Sequence, residues 1–259
     1  MKKILSVLAG VAFVAVATAQ TAAPRDYIDE YGINHGKGVE IDGVYWAPVN
    51  CGYHATMYPY GKLYQWGRKT GQGYGNPEGK PFADMQGKPV RLQVAPPASV
   101  AAGQSAECAD IFYILEGSKL WFNWTQDLQV NWNAGNDYDA VKVEKDDPCP
   151  KGWCVPTRED LKWLVAHHSE LVVGKNGQTG VWCSGEKPYS ACANRLFLPA
   201  AGYRNWSDGE SCRRNKDGYY WSGTHDIPDH AWCKSITDER QDLVSDYCAH
   251  GYSVRCIQE

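Results

Sequence analysis

Ten cysteines, at positions 51, 108, 149, 154, 183, 192, 212, 233, 248 and 256, constrain this 259-residue chain more than any other feature. All of them follow a leader-like N-terminus. Lys2 and Lys3 give a positive start, Ile4 to Val16 is an almost unbroken apolar run, and Ala17-Thr18-Ala19 places small residues where a signal peptidase reads. The pattern predicts a secretory signal peptide over residues 1–19, cut before Gln20. The apolar run is too short to span a bilayer and no longer one follows, so no transmembrane segment is expected. No cysteine sits at the cleavage point, which argues against a lipid anchor. An even cysteine count in an exported chain reads as disulfides rather than metal thiolates. There is no CxxC pair, and Cys149 and Cys154 are spaced too widely for a zinc knuckle. Connectivity is not legible from spacing alone.

Charge narrows the function classes. The chain has 26 basic and 30 acidic residues. Without the two leader lysines, 24 basic residues stand against 30 acidic ones, a net charge of −6. A nucleic-acid binder would show a strongly basic face, and none is visible. The mature part is long enough for one large domain or two small ones.

The chain divides unevenly. Residues 20–43 are polar and read as an N-terminal arm. Aromatics become dense from Val44, with Tyr45, Trp46, Tyr53, Tyr58, Tyr60, Tyr64 and Trp66. Residues 67–145, poor in large apolar residues at first and polar at the end, read as a long insertion. Gly152 to Pro156 reads as a strand that proline ends. Thr157 is a good helix N-cap with Asp160 three residues on. Leu161, Leu164, Val165 and His168 follow at helical spacing, which predicts an amphipathic helix from Thr157 to about Glu170. Short strand-like runs then alternate with turns rich in Asp, Gly and Asn, among them a hairpin turn near Asp238–Gln241. One helix followed by irregular strands is an α+β pattern.

Four segments carry a resemblance. They are Tyr60-Gly61-Lys62-Leu63-Tyr64-Gln65-Trp66, the run Asp147-Pro148-Cys149-Pro150-Lys151-Gly152-Trp153-Cys154-Val155-Pro156-Thr157-Arg158, Leu198-Pro199-Ala200-Ala201-Gly202-Tyr203-Arg204-Asn205, and Gly218 to Gly223 with Gly251 to Cys256. In this order they resemble the Fibrobacter succinogenes major paralogous domain family, over residues 44–259 with 67–145 poorly matched. The resemblance implies a C-type lectin-like fold: one main helix packed on short irregular antiparallel strands, loop-rich and disulfide-bonded, as a single domain. It implies pairing of the first and last strands, Gly152–Pro156 with Tyr252–Ile257, and so a Cys149–Cys256 disulfide. Cys183–Cys192 across a short loop and Cys233–Cys248 across the hairpin are further expected pairs. Cys154 departs from the family, where a larger polar residue is usual. A fold of this kind hosts many activities and does not name one.

No catalytic constellation stands out. His167-His168 reads as packed histidine, HExxH and GxSxG are absent, and the carboxylates form no directed pair. The motif of formylglycine-generating enzymes cannot be placed on any cysteine. The lectin-type calcium triplets Glu-Pro-Asn and Gln-Pro-Asp are also absent; Asn205-Trp206-Ser207-Asp208 offers suitable oxygens, and a polar turn needs no ion. The expectation is therefore no cofactor, with calcium the one candidate, and no nucleic-acid partner.

What remains is recognition. Trp206, Asp208, Arg213 and Arg214 lie on one loop, and His225, Asp226, His230, Lys234, Asp246, Tyr247 and His250 lie on the C-terminal segment. Aromatic and amphipathic polar side chains on a rigid scaffold suit binding at low entropic cost. The expected function is a secreted or cell-surface module that binds a glycan or a protein through these residues. The alternatives are a solvated face around core Trp221 and Trp232, a structural subunit of a surface appendage or matrix whose arm docks on a neighbouring copy, and an enzyme of unknown type.

Overall fold

The computed structural model describes residues 23–73, 90–97, 99, 103–115, 122–174 and 176–259. The expected signal peptide and much of the expected insertion lie outside these residues. Within them β-sheet dominates, in several small sheets, with a single short helix.

The helix α1 (Arg158–Ala166) starts where the sequence places it. Thr157 Oγ1 accepts from the Asp160 amide and the Asp160 carboxylate accepts from the Thr157 amide, a complete capping box. It ends four residues short of Glu170. The His167 ring stacks on Trp163 at 3.9 Å, and its Nδ1 lies 3.0 Å from the Trp163 carbonyl oxygen. His168 then bridges to Cys183, so the chain has left helical geometry.

The strands are short because turn residues interrupt them. The order β3 (Val39–Ile41), β4 (Val44–Trp46), β18 (Ile257–Gln258), β8 (Trp153–Cys154) makes one sheet in which the last strand is internal. Ile257 pairs with both Trp46 and Cys154. Residues 23–43, expected as an arm, fold back onto their own chain. β1 (Asp26–Ile28) pairs with β2 (Asn34–Lys37), and Tyr27 is buried with its ring 5.2 Å from that of Trp153. A second sheet runs β13 (Ser211–Cys212), β12 (Tyr203–Arg204), β17 (Gly251–Tyr252), β5 (Tyr64–Gln65). A third joins β9 (Val172–Val173), β10 (Thr179–Cys183) and β11 (Leu196–Pro199), and a fourth joins β14 (Gly218–Ile227), β15 (His230–Ile236) and β16 (Leu243–Tyr247). Inside the expected insertion β6 (Arg91–Val94) pairs in parallel with β7 (Ile111–Ile114).

The expected α+β, C-type lectin-like arrangement of strands around a main helix is thus overturned. A nine-residue helix has too little surface to organise this many sheets. Buried indoles do that work. Trp46, Trp66, Trp124, Trp132, Trp153 and Trp221 are all essentially inaccessible. Each such ring removes roughly 150–250 Å² from water, about 4–6 kcal/mol of transfer free energy. Their N–H groups also staple segments together. Trp221 donates to the Tyr64 carbonyl at 2.8 Å, Trp66 to that of Ser222 at 2.8 Å, and Trp124 to that of Trp66 at 2.7 Å.

Cys149 and Cys256 form a disulfide with 5.9 Å between Cα atoms, closing a sequence separation of 107 residues. The other two expected pairs are not bonded. Cys183 shares the inner face of β10 with Val181, while Cys192 lies on a surface turn with Sγ 3.0 Å from the Glu186 carbonyl oxygen. The β15–β16 register sets Cys233 opposite Val244, four residues before Cys248.

Candidate ligand-binding sites

The β15–β16 hairpin, with its turn at 237–242, closes one side of a cavity of about 480 Å³. Hydroxyls of Ser235, Thr237 and Ser245, carboxylates of Asp217, Asp238, Glu239 and Asp246, and the cations Arg213 and Arg240 line it, with Tyr219 and Tyr247 at its sides. Most of the charge is paired. Arg213 sits at φ +63° and donates to both oxygens of Asp217, at 2.7 and 3.1 Å. That ion pair holds its pKa above the ordinary value. Arg240 donates to Asp242 at 3.1 Å. Asp246 accepts from the Tyr252 hydroxyl at 2.7 Å. The Ser245 hydroxyl is different: its oxygen is buried and has no hydrogen-bond partner.

An aromatic ladder supports this wall. Phe122 stacks on Tyr247 at 4.0 Å, His250 on Tyr252 at 5.2 Å, and Tyr252 on Tyr219 at 4.6 Å. Trp206 meets the edges of Phe122 and Tyr247 at 5.3 and 6.0 Å, and the His230 ring tilts against Tyr247 at 4.8 Å. His230 Nδ1 lies 2.7 Å from Asp229 Oδ1. The backbone of Phe122 is fixed through its amide to Asp229 Oδ2 at 3.1 Å and its carbonyl to the Ala249 amide at 3.0 Å.

Of the residues that the sequence nominates for binding, Arg213, His230, Asp246 and Tyr247 line this cavity. Trp206 and His250 pack behind Tyr247, and burial lowers the His250 pKa. The rest lie elsewhere. The Arg214 guanidinium lies 5.2 Å from the Tyr60 ring centre. Asp208 is exposed and its carboxylate accepts from the Glu210 amide, a local turn contact. Asp226 is exposed at the end of β14. His225 stacks on Trp66 at 3.8 Å, and burial pushes its pKa down to about 4, so it is a neutral packing group. Lys234 differs from these in its burial. It is fully buried, its Nζ has no hydrogen-bond partner, and burial pushes its pKa down to about 8. It lies on the strand face turned toward Cys183, where no external ligand reaches it. The calcium candidate at 205–208 spends its oxygens locally, since Asn205 Oδ1 accepts from both the amide and the hydroxyl of Ser207.

A second cavity, of about 250 Å³, escaped the sequence reading. Tyr53, Pro59 and Tyr60 form one wall, and Trp182 with Phe197 forms the other. Trp182 and Phe197 are direct cross-strand partners on the outer faces of β10 and β11, their rings 4.9 Å apart. Their neighbours Val181, Cys183, Leu196 and Leu198 point inward. Gly180 must lack a side chain, because a Cβ there would lie 2.8 Å from the Phe197 ring and 2.3 Å from the Leu198 carbonyl oxygen. Gln178 Nε2 donates to the Pro59 carbonyl at 2.6 Å, and Asn215 Oδ1 accepts from the Tyr60 hydroxyl and the Thr179 amide at 2.6 and 3.2 Å. These bonds fix the two walls relative to each other.

Three sulfurs also meet in the core. Cys51 Sγ lies within 4.8 Å of both sulfurs of the Cys149–Cys256 disulfide. Burial pushes the Cys51 thiol up to about 12, and it donates to the Pro148 carbonyl at 3.3 Å. Two of the three sulfurs are bonded to each other and the third keeps its proton, so the group as it stands holds no metal.

No helix among the described residues is long and apolar enough to cross a membrane. No family model matches the chain, and neither a curated protein nor a solved structure matches it.

Proposed function

We propose that this chain is an exported recognition module that binds a glycan in the polar cavity beside the β15–β16 hairpin. The observation that carries the reading is the lining itself. Hydroxyls, carboxylates and guanidiniums alternate around a space flanked by the rings of Tyr219 and Tyr247. A sugar presents the complementary set: hydroxyls that both donate and accept, and apolar C–H faces that lie on aromatic rings. The exposed carboxylates of Asp238 and Glu239 give a ligand hydrogen-bond acceptors at the cavity wall. A protein partner is less well served, because the large rings Phe122, Trp206 and Tyr247 pack on one another instead of presenting a flat anchor surface. Export rests on the leader pattern at residues 1–19, and on a cross-linked core that keeps its disulfide in an oxidising compartment.

The test is a glycan array probed with oxidised protein comprising residues 20–259, followed by titration of each hit. Tyr247→Ala and Asp238→Asn should each weaken a hit at least tenfold while the protein melts normally. A hit that both variants bind as wild type does would move the site away from this cavity, and an array without hits would sink the glycan reading.

A further inference from the structure

We infer that the aromatic cleft between Tyr60 and Trp182 is a separate binding site, for a flat ring that carries a carboxylate. The inference goes beyond the glycan cavity, since none of the cleft residues lines it.

Size comes first. At about 250 Å³ the cleft falls below the roughly 300–1,000 Å³ of sites for drug-sized ligands, so it suits one ring and a short substituent. Its walls are aromatic and proline-rich, which favours a flat apolar body.

Charge supplies the second constraint. Arg255 lines the cleft and is almost wholly buried. Its Nε donates to Asn50 Oδ1 at 2.8 Å, and its Nη atoms donate to the carbonyls of Ala47 and Phe197 at 3.0 Å each. All three acceptors are neutral. Arg195 and Arg214 lie 4.8 Å and 5.2 Å from the rings of Trp182 and Tyr60, and neither lines the cleft, so Arg255 is its cation. Among the described residues no carboxylate lines the cleft. A buried cation is normally offset by an anion, and the described residues that line the cleft supply none. Arg68 and Arg204 are also buried against carbonyls, but they line neither cavity. The cleft therefore combines an aromatic slot with the Arg255 guanidinium, which no carboxylate among the described lining residues faces, the chemistry that holds an aromatic carboxylate. Such a group occurs in a free aromatic acid and at the end of a peptide that terminates in an aromatic residue.

Isothermal titration calorimetry of the oxidised full mature chain would use indole-3-acetate and its neutral amide as probes. The acid should bind at least tenfold more tightly than the amide, and added salt should weaken it. Trp182→Ala, whose side chain lies outside the inner core, should reduce acid binding at least tenfold and leave binding at the polar cavity unchanged. If that variant does not melt like the wild type, Tyr53→Ala repeats the test from the opposite wall. Competition by a peptide ending in tryptophan would assign the site to chain termini, and a peptide that fails to compete would assign it to free acids. Equal binding of acid and amide, no heat from either probe, or wild-type affinity in a normally folded variant would overturn the proposal.

Discussion

In the polar cavity, Arg213 meets both oxygens of Asp217 and Arg240 meets Asp242, whereas in the aromatic cleft Arg255 meets the neutral oxygens of Asn50, Ala47 and Phe197. The two regions share a scaffold, and arginine lines both. They differ in whether the chain neutralises its own charge. Where it does, what remains for a ligand is a mosaic of hydroxyls and half-used carboxylates, suited to uncharged polar groups. Where it does not, the vacancy has a sign, and a ligand of the opposite sign is selected. The placement of carboxylates, more than the number of cations, sets what each region can recognise.

The largest way to break this comparison is to cut the crosslink that both regions lean on. Arg255 precedes Cys256, and Tyr252 holds Asp246 at the cavity wall. Replacing Cys149 and Cys256 together by serine should cost about 4–5 kcal/mol, by the chain entropy of a loop of this length. Both binding activities should then disappear in one urea transition. A denaturation curve with two separate steps would show that the regions are energetically independent.

A smaller change sharpens the charge argument. Lys234 is a cation that neither region uses, buried without a hydrogen-bond partner. Its pKa falls from 10.5 unfolded to about 8 folded. The unfolded chain therefore holds more protons between these values, and this group makes stability rise with pH across that window. The Lys234→Met variant lacks the term. Its advantage over the wild type should be largest below pH 8 and should shrink by about 3 kcal/mol by pH 10.5. Paired urea titrations at pH 7.5 and 10.5 read the difference, and a gap that does not change with pH would mean that Lys234 is solvated.

The smallest change is a control. Thr157→Ala removes a cap remote from both cavities and should cost about 1 kcal/mol. Thermal melts should record that loss while the affinities for a glycan hit and for indole-3-acetate stay at wild-type values. A shift in either affinity would couple α1 to that site.

Local chemistry made some of this legible in the sequence. The Thr157–Asp160 box and the turn before Leu243 need only neighbours a few residues apart, and both read correctly. The helix length did not, because its end depends on His167 turning back on Trp163. On the C-terminal segment the residue types were visible but their directions were not. His225 stacks on Trp66 and Lys234 is fully buried in the same hairpin system that carries His230 and Tyr247 to the cavity. A strand buried on both faces shows no polar alternation to distinguish them. The cleft was invisible for another reason. Tyr60 and Trp182 face one space across more than a hundred residues of chain, joined through Gln178 and Asn215, and no local pattern announces such a meeting.

The internal position of β18 has a consequence for how the molecule comes into being. Ile257 pairs on one side with Trp46 and on the other with Cys154. That sheet cannot assemble until synthesis has passed residue 258, so a nascent chain holds its early strands without the partner that joins them. Chains usually fold from the N-terminus as they emerge; here strands more than a hundred residues apart wait for Ile257 and Gln258. A chain that lacked those two residues would keep both flanking strands and lose the one they close around.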